Sequence, residues 1–291
     1  LGESYGLRRC LSTHARRSGT MTVSTVKNSP MLDPDIRRLL DTVFDVPPDS
    51  AAPSIAELRA AAEEAPKLLG GEPEIVASIR DLHAPGSAGA VPVRVYRPES
   101  AAPLPLVLFA HGGGWVVGSL DSHDKLCRIL TNRLGAVLVA TDYRLAPEHV
   151  YPAALDDVEA AWRWARAEAH TLGADGDRFA VAGDSSGGNL AAVAALMARD
   201  RGGPALAGQI LIMPMLDPGL TTCSMRDVKL DDSMAEVADT CAASYRGYLP
   251  IETLPVPGTR SANRSFDNVR LSPFAPTILP SVSESRSALV F

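Results

Sequence analysis

The sequence lacks the features by which several classes of protein are recognised. Its four cysteines are far apart and form no CxxC pair, which disfavours a disulfide framework or a metal site and favours reduced thiols in a cytoplasm. The longest apolar runs, such as 104–110, are far shorter than the ~20 residues of a membrane span. The net charge of −6 argues against nucleic acid as a partner. These absences leave a cytoplasmic globular protein as the prediction.

The two ends of the chain differ in composition from its middle. Residues 1–20 carry four arginines against one acid and have no apolar core, which disfavours a secretory signal and leaves an organelle transit peptide or translated sequence upstream of Met21. Residues 251–291 hold five prolines, seven serines and one glycine. We therefore expect a non-native or disordered leader at 1–20. At 251–291 we expect an irregular, aberrant or truncated segment that ends as a strand cut short.

Between these ends the sequence alternates between strand and helix patterns. Strands are predicted at 91–97, 104–110, 136–140, 179–182 and 210–213, and helices at 122–134, 153–169 and 186–201. The strand at 91–97 alternates apolar with polar residues, as a half-exposed antiparallel edge strand does. The alternation as a whole predicts an α/β protein with a mostly parallel, doubly wound sheet and helices on both faces, which we assign to residues 76–250.

A helical region precedes this core, at residues 21–75. Apolar residues recur at helical spacing over 33–44, and Ser54 with Glu57 forms a capping box for a second helix that runs to about Leu69. These helices either form a cap over a site or only cover the sheet. Periodicity does not separate the two interpretations.

The first glycine-rich turn is GDSSGG at 183–188. It contains G-x-S-x-G with Ser185 in the nucleophile position, between a predicted strand and a predicted helix, as a nucleophile elbow requires. The glycines on each side allow neighbouring backbone to approach closely, and the amide dipole of the following helix favours negative charge at the site.

The second turn is HGGGW at 111–115, directly after the buried strand at 104–110. Acyl transfer passes through an oxyanion that needs preorganised N–H donors, and glycines leave backbone amides uncovered. A phosphate-binding loop is disfavoured because no Gly-Lys-Ser/Thr follows. Two turns that each supply half of one site favour an acyl-transfer enzyme.

Together these motifs resemble the hormone-sensitive-lipase-like branch of the α/β-hydrolases. The matching segments are HGGGWVVGS at 111–119, DYRLAPEHVYP at 142–152 and GDSSGGNLA at 183–191. The resemblance implies an α/β-hydrolase fold, an N-terminal helical cap and catalysis without a cofactor or metal. It implies the following site residues: Ser185 as nucleophile, Gly112, Gly113, Gly114 and Ser186 as the oxyanion hole, and His111 as support for that loop. Ser186 stands where the family usually has alanine, and Asp184 is implied to be a turn residue.

The rest of the catalytic triad is not visible in the sequence. In this fold the acid and the histidine follow the serine along the chain, yet all six histidines precede Ser185. No suitable strand precedes the later aspartates that are candidates for the acid: Asp217, Asp227, Asp232, Asp239 and Asp267. The order His111, Asp142, Ser185 is that of chymotrypsin-like proteases, but those are all-β barrels. The catalytic acid and base are therefore unassigned, and we expect both to be absent from this chain.

The sequence thus predicts a serine carboxylester hydrolase that acts on small or short-acyl esters, with weak turnover in this chain. Two alternatives stay open. One is a binder of small molecules that keeps the pocket without the triad. The other is an interaction protein, for instance a homodimer formed through an exposed sheet edge.

Overall fold

The computed structural model describes residues 33–34, 54–68, 71–201, 205–216 and 287–290. From residue 54 onward, the described residues belong to one compact unit. Most of the helix predicted at 33–44 and all aspartates after Asp200 lie outside the described residues. The domain boundaries given above stay predictions.

The described chain forms a seven-stranded sheet and four helices. The elements are α1 (Ile55–Leu68), β1 (Ser78–Gly86), β2 (Gly89–Arg97), β3 (Leu104–Ala110), α2 (Asp124–Leu134), β4 (Val137–Thr141), α3 (Ala153–Ala167), β5 (Ala174–Asp184), α4 (Ser185–Asp200), β6 (Gly208–Ile212) and β7 (Ser287–Val290). The strand order is β1-β2-β4-β3-β5-β6-β7, and all pairs from β4 to β7 are parallel. Among the described helices, none is long and apolar enough to cross a bilayer.

The predicted mostly parallel sheet is confirmed, but the edge strand was assigned wrongly. The strand at 91–97 belongs to β2, which is antiparallel as expected and yet lies between β1 and β4. The edge is β1, which forms a hairpin with β2 through the pair Gly86 and Gly89. Only Ala84 of β1 is fully buried, so this strand has too few buried positions to show an apolar pattern.

Helices cover both faces of the sheet, as predicted. In β3, Leu106 and Leu108 point into a core shared with α3 and α4. Val107 and Phe109 alternate with them and point into a second core, where Cys127 of α2 packs. A strand buried on both faces needs apolar residues at every position, which explains why β3 is a continuous apolar run.

Helix α1 begins at the capping box that the sequence predicts. The Ser54 N–H donates to a Glu57 carboxylate oxygen at 2.8 Å, and the Glu57 N–H donates to Ser54 Oγ at 3.3 Å. The two residues thus satisfy backbone donors that the first turn leaves without partners.

The sheet brings the two glycine-rich turns to one place. Strands β3 and β5 are parallel neighbours, and Ala110 at the end of β3 is paired with Gly183 near the end of β5. Because both strands end at the same edge, His111 and Asp184 leave the sheet side by side. Ligand sites of open α/β sheets lie at this carboxyl edge.

Candidate active site

Ser185 lies where β5 turns directly into α4. Its φ is +51°, in the left-handed region that costs a non-glycine residue roughly 1–2 kcal/mol. The neighbouring glycines explain why the turn is this tight. A Cβ on Gly187 would overlap the carbonyl oxygens of Ala110 and His111, and a Cβ on Gly183 would overlap the Gly187 carbonyl. The predicted strand–turn–helix elbow is confirmed.

Two hydrogen bonds join the HGGG loop to the Ser185 turn. The Gly112 N–H donates to Asp184 Oδ1 at 2.8 Å, and the Trp115 N–H donates to Ser186 Oγ at 3.3 Å. The second bond uses the hydroxyl that replaces the usual alanine of the family, and the sequence gives no sign of it. The loop that carries Gly113 and Gly114 is therefore fixed beside Ser185.

The amides of this loop fall into two groups. The N–H groups of Gly112 and Trp115 donate to the side chains of Asp184 and Ser186. Those of Val116 and Val117 both donate to the Gly113 carbonyl at 3.0 Å. Within the described part of the chain, the Gly113 and Gly114 amides have no acceptor. Gly112 was predicted as an oxyanion donor with them, but its amide is occupied by Asp184 and anchors the loop.

Asp184 links three segments of the chain. Its carboxylate accepts from the Gly112 amide, lies 3.6 Å from His123 Nε2, and belongs to the residue that precedes Ser185. A Cβ on Gly112 would overlap this carboxylate. Asp184 was predicted to be a turn residue, but it is the last residue of β5, and its side chain bridges Gly112 and His123. His123, just before α2, was missed because no local pattern reports a contact between distant parts of the chain.

His111, the first residue of the loop, is almost fully buried. Its Nδ1 donates to the Gly112 carbonyl at 2.8 Å, and its ring stacks on Tyr143 with centroids 4.3 Å apart. Burial, and then the nearby His123, lowers the pKa of His111 to about 4. The imidazole is therefore neutral at pH 7, and its contacts are those of a loop support and not of a base for Ser185.

This burial predicts an acid-sensitive stability. Between pH about 6.5 and about 4, the unfolded chain protonates His111 and the folded chain does not, so the free energy of unfolding falls as the pH drops. The loss reaches about 3 kcal/mol at the lower end. We expect His111→Asn to flatten this part of the profile in urea unfolding. A profile identical to that of the unsubstituted chain would show that His111 is not held neutral.

The segment 142–152 holds the loop from its outer side. Tyr143 Oη donates to the His111 carbonyl at 2.7 Å, and the Ala146 N–H donates to the Trp115 carbonyl at 2.9 Å. Arg144 anchors the segment 142–152, because its guanidinium and its backbone N–H both donate to the buried Asp157 carboxylate. Sequence reasoning connected this segment to the site only through the family resemblance.

Comparisons with known proteins agree with this architecture. A family profile described as alpha/beta hydrolase fold matches residues 107–279. Carboxylic ester hydrolase LipN of Mycobacterium tuberculosis is 40% identical over 226 residues, which cover 74% of this chain and 59% of LipN. Carboxylesterase NlhH of the same species is 45% identical over 197 residues, covering 67% and 60%. The chain thus spans about three fifths of the length of these two relatives.

A solved structure extends the likeness to three dimensions. The esterase of Pyrobaculum calidifontis superimposes with a TM-score of 0.67 at 37% identity, covering 89% of this chain and 78% of the esterase. The chain is a member of the α/β-hydrolase fold family, in its hormone-sensitive-lipase-like branch.

Proposed function

We propose that this chain is a serine carboxylester hydrolase that acts on small or short-acyl esters through an acyl-enzyme on Ser185. The observation that carries the proposal is the pair of hydrogen bonds that fixes the Gly113–Gly114 amides beside Ser185. A nucleophile and preorganised N–H donors at one point are what acyl transfer needs. The relatives named above are esterases, which supports an ester as the substrate class.

In the proposed reaction, Ser185 Oγ attacks the ester carbonyl carbon and loses its proton. The carbonyl oxygen becomes an oxyanion that the amides of Gly113, Gly114 and Ser186 stabilise, each worth roughly 2.7–4 kcal/mol of barrier. Collapse of this intermediate expels the alcohol, which takes up a proton. Water then attacks the acyl-serine, releases the acid and restores the hydroxyl.

The group that accepts the Ser185 proton is unassigned. His111 is buried, neutral and bonded to Gly112, and no histidine follows Ser185 in the sequence. Without a base, the oxyanion hole and substrate binding still supply a residual acceleration of roughly 10³–10⁴ over water. We therefore propose slow turnover for the chain of this sequence.

Two further features belong to the proposal. We place the protein in a cytoplasm, because the spacing of the cysteines predicts no disulfide and Cys127 is a free buried thiol. A homodimer through a sheet edge stays a prediction, for which β1 is one edge. Light scattering at several protein concentrations gives the molar mass, which should rise toward that of two chains if the homodimer forms.

The time course with p-nitrophenyl acetate tests the proposal. We expect a burst of about one p-nitrophenolate per chain followed by slow release, because acylation of an activated ester outpaces deacylation when no base activates water. Ser185→Ala should show no burst. Saturable binding of a small carboxylate with no burst would favour the ligand-binding alternative. Rapid turnover that Ser185→Ala abolishes would show that a base is present.

A further inference from the structure

Arg59 of helix α1 contacts the outer side of the oxyanion loop, which consists of residues 111–117. Its Nε donates to the Val116 carbonyl at 2.8 Å, and its Nη2 donates to the Ala146 carbonyl at 3.0 Å. The same guanidinium also donates to both carboxylate oxygens of Glu148, at 2.9 and 2.7 Å. Four of the five N–H donors of an arginine are thus in use.

The two backbone carbonyls belong to residues whose N–H groups are hydrogen-bonded to the loop. Val116 carries an N–H that donates to the Gly113 carbonyl at 3.0 Å, and Ala146 carries an N–H that donates to the Trp115 carbonyl at 2.9 Å. Arg59 therefore bridges the loop at Val116 and the segment 142–152 at Ala146, beside the hydrogen bond that joins Ala146 to Trp115. Asp184 and Ser186 hold the loop on its inner side, and Arg59 holds it on the outer side.

We propose that Arg59 is a positioning residue for the oxyanion loop, which couples the seating of helix α1 to the alignment of the Gly113 and Gly114 amides. Its catalytic consequence rests on the proposed function, whereas its effect on the loop does not. The sequence left open whether α1 covers a site or only the sheet. The bonds of Arg59 connect α1 to the loop of the site.

The bonds to the carbonyls, and not the ion pair, account for this role. The side chains of Arg59 and Glu148 are 33% and 54% exposed, and ion pairs in such positions contribute little because water screens them. Lysine would not reproduce the contact, since an ammonium is a point donor without the planar fork that reaches two carbonyls and a carboxylate together.

A second contact holds the other end of α1. Lys125 Nζ of α2 donates to the carbonyls of Pro66 and Gly71 at 2.5 and 2.6 Å. A cation at this position also interacts favourably with the carboxyl end of the helix dipole. Loss of the Arg59 side chain should therefore loosen the loop at Val116 while α1 stays attached through Lys125.

Hydrogen exchange of the loop amides tests the inference without any reference to catalysis. In Arg59→Met we expect the Val116 and Val117 amides to exchange about 10-fold faster, as loss of one or two hydrogen bonds implies. The matched control is Arg178→Met. Arg178 also donates to a carboxylate, of Asp175, and to one backbone carbonyl, of Pro103, but it lies beside the amino end of the sheet. Exchange in Arg59→Met equal to that in the control would overturn the inference.

Two further variants separate the carbonyl bonds from the ion pair. Glu148→Gln keeps the guanidinium and its carbonyl acceptors, so loop exchange should stay within about twofold of the unsubstituted chain. Arg59→Lys should fall between the unsubstituted chain and Arg59→Met. If Glu148→Gln loosens the loop as much as Arg59→Met does, the ion pair positions the loop and the inference is wrong.

The rate of Ser185 acetylation by p-nitrophenyl acetate then measures the consequence for the site. We expect Arg59→Met to lower the maximal rate constant about 10-fold, with the half-saturating ester concentration within about twofold, because misaligned donors affect the transition state more than ground-state binding. Faster loop exchange with an unchanged acetylation rate would overturn the coupling to the amides. If the unsubstituted chain itself is never acetylated, the proposed function fails, and the exchange result alone decides the role of Arg59.

Discussion

Replacing Asp184 with alanine is expected to lower the rate constant for acetylation of Ser185 by about 10²-fold or more, an effect of the size seen when an oxyanion donor is lost. The Asp184 carboxylate is the acceptor for the Gly112 amide, and this bond ties the oxyanion loop to the turn that carries the nucleophile. Without it, the amides of Gly113 and Gly114 lose their fixed position relative to Ser185 Oγ. Single-turnover kinetics with p-nitrophenyl acetate measures the change.

Asp184→Asn is the matched control for this substitution. The asparagine Oδ1 still accepts from the Gly112 amide, but the side chain no longer carries a charge toward His123 Nε2, 3.6 Å away. If the hydrogen bond is what matters, the asparagine variant should acetylate within about threefold of the unsubstituted chain, because a neutral acceptor retains most of such a bond. An alanine variant as fast as the unsubstituted chain would contradict the assigned role of Asp184.

Replacing Gly187 with alanine is expected to destabilise the fold by about 3 kcal/mol or more. Glycine to alanine inside a helix ordinarily stabilises it by up to about 1 kcal/mol, so the expected sign is reversed. The reason is steric: a Cβ at this position would overlap the carbonyl oxygens of Ala110 and His111. Backbone atoms of a buried strand end have no room to move aside. Urea unfolding of the unsubstituted chain and of Gly187→Ala measures the difference in the free energy of unfolding.

Gly135→Ala provides the comparison that isolates the steric cause. Gly135 follows α2 with φ +56°, and nothing lies within 4 Å of a Cβ built there. Its substitution should therefore cost only about 1 kcal/mol of backbone strain. Equal losses for the two variants would mean that close approach of β3 to α4 is not what requires Gly187.

Much of the fold follows from local pattern in the sequence. Strand β3 was predicted with its observed bounds, because burial on both faces makes it a continuous apolar run. Strand β5 was predicted only over 179–182, although it begins at Ala174. Three of the residues 175–178 are charged and all four are half-buried or exposed, and the pairing with β3 shifts register between Pro105 and Leu106. The charged residues give this part of the strand a hydrophilic pattern that does not predict a strand, and a register shift has no local signal in the sequence.

The residues of the candidate site also include some that the sequence predicts and others that it misses. Ser185 and the glycine loop are visible in the sequence because elbow geometry and uncovered amides require particular residue types at fixed spacing. Arg59 and His123 were missed because their contacts join segments far apart in the chain, which only the folded sheet brings together. Ser186 was predicted only as an amide donor at a position where the family usually has alanine, and its hydroxyl accepts a hydrogen bond from the Trp115 N–H.

Peptide mass spectrometry after brief exposure to p-nitrophenyl acetate tests the central claim most directly. If Ser185 and the loop amides form one acyl-transfer site, a single acetyl group should appear on Ser185 as p-nitrophenolate is released, and it should be absent from Ser185→Ala. Release of p-nitrophenolate at the same rate from both chains, with the acetyl group on surface lysines or nowhere, would contradict the account.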